Sequence, residues 1–239
     1  MTHIITALDF ASAADALVFA ENVDPALSRM KVGKELFTRA GPQVVRDLSA
    51  MGFEIFLDLK FHDIPNTVAG AINAANDLGV WMVNVHASGG SPMMEAAVKA
   101  NREAGGDTLL IAVTILTSMT DENVASVGYA NNAADQAVHL ASLAASSGMD
   151  GVVCSPHEVP MIRSATQAVT SAASAHFITV TPGVRPGALN TTDDQRRTMT
   201  PADASRNGSD YLVIGRPITQ ADNANQALSS IIDDISNAV

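Results

Sequence analysis

The sequence predicts an α/β fold, a single-domain (β/α)8 TIM barrel over residues 1–239, on three observations. Short β-branched or apolar runs recur along the whole chain, each followed by a longer Ala-rich segment with helical spacing. The runs are continuously apolar, as the strands of a parallel sheet covered by helices must be. Eight such units fit within 239 residues, close to the ~250 usual for this barrel. The rival fold, an open doubly wound sheet, favours a Gly-rich turn after its first strand. Here the first strand runs into Leu8-Asp9-Phe10 instead.

In chain order, the expected strands cover residues 4–9, 30–33, 55–60, 82–86, 109–115, 151–154, 177–180 and 211–215. Helices are expected over 12–22, 42–50, 68–78, 92–103, 133–147 and 226–238, where apolar residues return every three or four positions. Gly52, Gly79, Gly148 and Gly208 stand where a left-handed residue would end a helix or turn.

Composition narrows the function classes. A formal charge of −11 argues against nucleic acid or an anionic membrane as partner, because both need a basic face. No apolar run approaches the ~20 residues that span a bilayer, and the start Met1-Thr2-His3-Ile4 lacks the basic region of a signal peptide. The single cysteine, Cys154, cannot form an internal disulfide, which points to a reducing cytoplasm. Only four lysines occur, so any anion site must be built locally from a few cations and backbone N–H groups.

A barrel enzyme assembles its site at the C-terminal ends of its strands, and the least expected polar residues stand there. Asp9 closes the first strand and Lys31 lies near the end of the second. Asp58 and Lys60 close the third, Thr117 and Ser118 follow the fifth, Arg185 the seventh and Arg216 the eighth. Side chains alternate along a strand, so Asp58 and Lys60 share one face while Leu57 and Leu59 share the other. Leucines packed under helices would send the acid and the amine towards the barrel axis. Buried charges are costly unless paired, so a polar network with Lys31 and Asp9 is expected; an ion-pair layer without chemistry is the bland alternative.

A phosphate signal accompanies this one. Thr181-Pro182-Gly183-Val184-Arg185 follows strand seven and Ile214-Gly215-Arg216-Pro217 follows strand eight, the loops that commonly hold phosphate in such barrels. Gly215 allows close backbone approach and Arg216 offers a planar fork to phosphate oxygens; an ordinary turn with a surface arginine is the plain alternative. Residues 186–197 are polar and aperiodic, as expected of a lid; a disordered surface loop is the bland alternative. His62 reads as a supporting residue and His86 as part of the barrel mouth. No histidine has metal-ligand spacing, so no metal is expected. Trp81 and Met82 fit core packing.

The run Asp58-Leu59-Lys60-Phe61-His62-Asp63-Ile64-Pro65-Asn66-Thr67-Val68 resembles the signature of the orotidine 5′-phosphate decarboxylase family. The likeness extends to Ala7-Leu8-Asp9, Lys31-Val32-Gly33, Val113-Thr114-Ile115-Leu116-Thr117-Ser118, Pro182-Gly183-Val184-Arg185, Asp194-Gln195-Arg196-Arg197 and Val213-Ile214-Gly215-Arg216-Pro217. The resemblance implies decarboxylation of orotidine 5′-monophosphate to UMP in pyrimidine biosynthesis, without a cofactor. Lys60 would protonate C6 as carbon dioxide leaves. Asp58 would sit by the substrate carboxylate, with Lys31 and Asp63 completing an Asp–Lys–Asp–Lys array. Asp9 and Lys31 would hold ribose hydroxyls, and Thr117 and Ser118 would lie by the pyrimidine edge. Arg185, Gln195, Gly215 and Arg216 would grip the phosphate, Gln195 from the lid. The resemblance also implies a homodimer in which Asp63 and Thr67 reach the neighbouring subunit's site.

Two rivals stand beside this expectation. A metal-dependent sugar-phosphate decarboxylase or synthase of the same superfamily shares the Asp-x-Lys-x-x-Asp strand but lacks the Ile64-Pro65-Asn66-Thr67 continuation. A non-catalytic barrel that binds a nucleotide would not require the array of Asp58, Lys60 and Asp63.

Overall fold

The computed structural model describes residues 2–173, 176–187 and 198–238. Its elements run β1 (His3–Leu8), α1 (Ala13–Ala20), β2 (Arg29–Gly33), α2 (Lys34–Ala40), α3 (Gln43–Ala50), β3 (Ile55–Phe61) and α4 (Pro65–Asp77). There follow β4 (Met82–His86), α5 (Ser91–Glu103), β5 (Leu109–Val113), α6 (Asp121–Ser126), α7 (Ala133–Ser146), β6 (Gly151–Val153) and α8 (Val159–Ala173). The chain ends with β7 (Ile178–Thr181), α9 (Pro201–Arg206), β8 (Tyr211–Ile214), α10 (Arg216–Thr219) and α11 (Ala224–Ser236). All strand pairs are parallel and neighbours in sequence. β8 returns to β1 with Ile5 opposite Val213, which closes the barrel.

Each expected strand is present, its ends shifted by at most two residues, a shift usual where strand and turn merge. The expected helices are present too, several starting at a side-chain cap outside the apolar pattern. Ser12, Asn132 and Asn223 each accept a backbone N–H from three residues on. The four turn glycines have φ of 71 to 93°, the left-handed region anticipated for them. Helices α2, α6, α8, α9 and α10 were not among the segments singled out. Four of the five hold seven residues or fewer, too short to show a clear period.

Strand parity divides the core. Ile4, Leu8, Met30, Val32, Ile55, Leu57, Val83 and Val85 point outwards into the layer shared with the helices. Ile5, Ala7, Phe56, Met82, Ile111, Val180 and Val213 point inwards and fill the barrel. At the N-terminal end the Arg29 guanidinium lies 4.5 Å from the Trp81 ring centroid and 2.8 Å from Glu54. Trp81 also meets Tyr211 edge-on, so it does more than fill space: it helps plug the barrel floor around a paired cation. The opposite end, above the apolar layer, is left for polar groups. Among the described residues, no helix is long and apolar enough to cross a membrane.

Candidate active site

The third strand sets the geometry. Phe56 points into the barrel and Leu57 out of it, so Asp58 projects into the mouth, where it is buried. Pairing with β4 then breaks register: Leu57 faces Val83, but the next paired residue, Phe61, faces Val85. Four residues of β3 thus advance against two of β4, a bulge that takes residues 58–60 out of register with β4 while Asp58 still pairs with Gly33 of β2. Lys60 takes φ of 53°, the one non-glycine with positive φ among the described residues. Such a conformation costs a β-carbon-bearing residue about 1–2 kcal/mol and clusters at functional sites.

The bulge creates a chain of charges across the mouth. Lys60 Nζ donates to Asp58 Oδ1 at 2.5 Å. Lys31 Nζ stands 3.3 Å from Asp58 Oδ2 and 3.5 Å from Asp9 Oδ1. Burial alone would raise the Asp58 carboxyl, but the ammonium groups of Lys31 and Lys60 outweigh it and hold Asp58 at about 2. Asp58 is therefore an ionised carboxylate held between two ammonium groups.

These groups line a cavity of about 320 Å³, within the range of small-molecule sites. Its floor is apolar, made by Ala7, Phe56, Val113, Val153 and Val213. Thr117 and Ser118 line it after β5, Pro182, Gly183 and Arg185 after β7, and Gly215 and Arg216 after β8. Four cations (Lys31, Lys60, Arg185 and Arg216) face two carboxylates (Asp9 and Asp58) across it. A chain of net charge −11 has thus gathered local positive charge at one place, as an anion site in so acidic a protein requires.

Nine of the expected site residues come together in this way: Asp9, Lys31, Asp58, Lys60, Thr117, Ser118, Arg185, Gly215 and Arg216. Asp63 and Thr67 do not. Both are exposed at the start of α4, outside the cavity of their own chain, and Asp63 Oδ1 accepts the Ile64 N–H at 2.7 Å. Gln195 and most of the expected lid lie outside the described residues. His62 and His86 face each other at 5.5 Å beside the mouth, neither lining the cavity. Burial, then the neighbouring His62, Lys34 and Lys60, lowers His86 to about 4, so it is neutral near pH 7.

Sequence reasoning passed over Asn84. It is fully buried on β4, at the inward parity set by Met82. Its Oδ1 accepts the Lys60 backbone N–H and its Nδ2 donates to Asp58 Oδ1, both at 2.7 Å. The signal was present in Met82-Val83-Asn84-Val85-His86: an amide on the inward face of a strand whose outward face is valine.

Comparison with known proteins adds the family. The family model described as orotidine 5′-phosphate decarboxylase/HUMPS matches residues 2–231. The chain belongs to this family. Proteins named orotidine 5′-phosphate decarboxylase are similar along most of their length. The one from Sodalis glossinidius is 54% identical over 97% of this chain and 89% of its own. That of Haemophilus influenzae is 53% identical over 96% and 97%. Among solved structures, orotidine 5′-phosphate decarboxylase from Lactobacillus acidophilus superposes with a TM-score of 0.84 at 35% identity, covering 98% of this chain and 99% of that one. Orotidine 5′-monophosphate decarboxylase from Methanocaldococcus jannaschii, solved with the inhibitor BMP, shares the fold at a TM-score of 0.76 and 19% identity, over 98% and 99%.

Proposed function

We propose that this chain decarboxylates orotidine 5′-monophosphate to UMP and carbon dioxide, with Lys60 delivering the proton to C6. The observation that carries the reading is the Asp58–Lys60 pair, bonded at 2.5 Å in the mouth of a barrel of this family. Loss of carbon dioxide from C6 leaves an electron pair in an sp² orbital, with no adjacent carbonyl placed to delocalise it. A fixed ammonium beside C6 stabilises that charge as it develops and then supplies the proton. This reading needs no cofactor.

Asp58 holds the Lys60 ammonium and faces the substrate carboxylate. Two like charges ~4 Å apart at an effective dielectric of ~20 repel by about 4 kcal/mol. Rate enhancements at the upper end of the enzymatic range require roughly 20 kcal/mol, so repulsion is the smaller contribution. The larger share comes from an ammonium already oriented and from binding energy on the phosphate, remote from the reacting carbon. Arg185, Gly215 and Arg216 supply that phosphate grip, together with Gln195 of the expected lid. Lys31 and Asp9 bind the ribose hydroxyls, and Thr117 and Ser118 the pyrimidine edge.

In the same reading the enzyme is a homodimer. Asp63 and Thr67, exposed and outside their own cavity, complete the partner's site across the interface. The same reading puts the enzyme in the cytoplasm, a reducing compartment that suits its single cysteine, Cys154.

The test is to follow the absorbance of orotidine 5′-monophosphate on adding purified protein with a chelator present. Its loss at an undiminished rate is expected. Turnover that stops with chelator and returns with a divalent cation would point to a metal-dependent reaction instead.

A further inference from the structure

We propose that Asn84 is a positioning residue for proton transfer by Lys60, an inference that rests on the decarboxylase reading above. Pairing of β3 with β4 runs regularly as far as Leu57 opposite Val83. The register break between Leu57 and Phe61 removes residues 58–60 from that ladder. Beyond it, Asn84 Oδ1 accepts the Lys60 backbone N–H at 2.7 Å. The other end of the same amide donates to Asp58 Oδ1, the oxygen that also receives Lys60 Nζ.

One side chain therefore fixes both ends of Lys60: its backbone directly, its ammonium through Asp58. The backbone bond holds residue 60 at φ of 53°. The donor bond fills a second lone pair of Asp58 Oδ1, orienting the carboxylate against Lys60 and favouring its ionised form. The amide orientation is unambiguous, because a backbone N–H only donates and an ionised carboxylate only accepts. Asn84 is fully buried, so neither bond can be exchanged for one to bulk water. No other uncharged side chain of this size offers one donor and one acceptor across that gap. Aspartate keeps the acceptor but sets a carboxylate against Asp58, and serine is too short to span both partners.

The experiment compares the parent with Asn84→Asp and Asn84→Ser, measuring kcat and KM for orotidine 5′-monophosphate, UMP affinity, and the pH profile of kcat/KM. Both variants should lose kcat on the order of 100-fold, the effect of moving a reacting group by about 1 Å. UMP affinity should stay within about threefold, because the phosphate contacts lie across the cavity. In Asn84→Asp the acid limb should also move to higher pH, since two adjacent carboxylates share a raised titration. Either variant with kcat near the parent's overturns the role. So does a loss of kcat matched by an equal loss of UMP affinity, or an unmoved acid limb in Asn84→Asp. A parent without turnover overturns the decarboxylase reading and this role with it, whereas an active parent with unaffected variants overturns this role alone.

Discussion

Lys31 Nζ lies 3.3 Å from Asp58 Oδ2, the oxygen opposite the one that Lys60 binds. Asp58 thus faces an ammonium group on each side and is held at about 2, below the ordinary 3.8 despite burial that would raise it. A carboxyl depressed on folding stabilises the native state above its unfolded pKa, and that contribution is lost as pH falls through the folded value. On the order of 2 kcal/mol should therefore disappear between about pH 4 and pH 2. Urea unfolding across this range checks it: Lys31→Met should lose less stability on acidification than the parent, and an unchanged acid slope would remove Lys31 from this role.

The left-handed backbone of Lys60 makes a separate prediction about stability. Alanine at this position keeps the steric cost, whereas glycine adopts φ of 53° freely. Lys60→Gly should unfold at higher denaturant than Lys60→Ala, by about 1 kcal/mol. A less stable glycine variant would mean that the strain is not present in solution.

Arg216 stands at the start of α10 on the far side of the cavity from Asp58. Removing a charge-assisted contact to phosphate costs about 1.5–3 kcal/mol. Arg216→Ala should weaken UMP binding on the order of tenfold or more, while uridine, which has no phosphate, should bind both proteins alike. Calorimetric titration with the two ligands separates these outcomes, and normal UMP binding would exclude Arg216 from the phosphate site.

The exposed position of Asp63 leads to a mixing experiment. If it completes the partner's site, Lys60→Ala and Asp63→Ala dimers are each impaired, but a heterodimer contains one intact site. Equal mixing with subunit exchange should restore about a quarter of the parent activity, since half the dimers are mixed and each has one working site of two. No recovery, with exchange confirmed by mass spectrometry, would place Asp63 in its own chain's site or in none.

Much of the architecture was readable from residue order because barrel strands announce themselves twice, as apolar runs and as carriers of polar residues at one end. Inward Asp58 followed from outward Leu57, and the cavity brings Lys31, Asp9, Arg185 and Arg216 around it as expected. Alternation could not reveal the bulge, because a register break depends on which residues of β4 stand opposite, not on β3 alone. The positive φ of Lys60 and the bridging of Asn84 both follow from that break, and both were missed. The short helices escaped for a different reason: α9, capped by Thr200, and α10, which has no side-chain cap, hold too few turns for a period.

The assignment of Lys60 as the proton donor is tested most directly by the turnover of orotidine 5′-monophosphate in Lys60→Ala, measured beside UMP binding by the same protein. A folded variant that binds UMP but shows no measurable decarboxylation is the expected result. Substantial residual decarboxylation by that variant would contradict it.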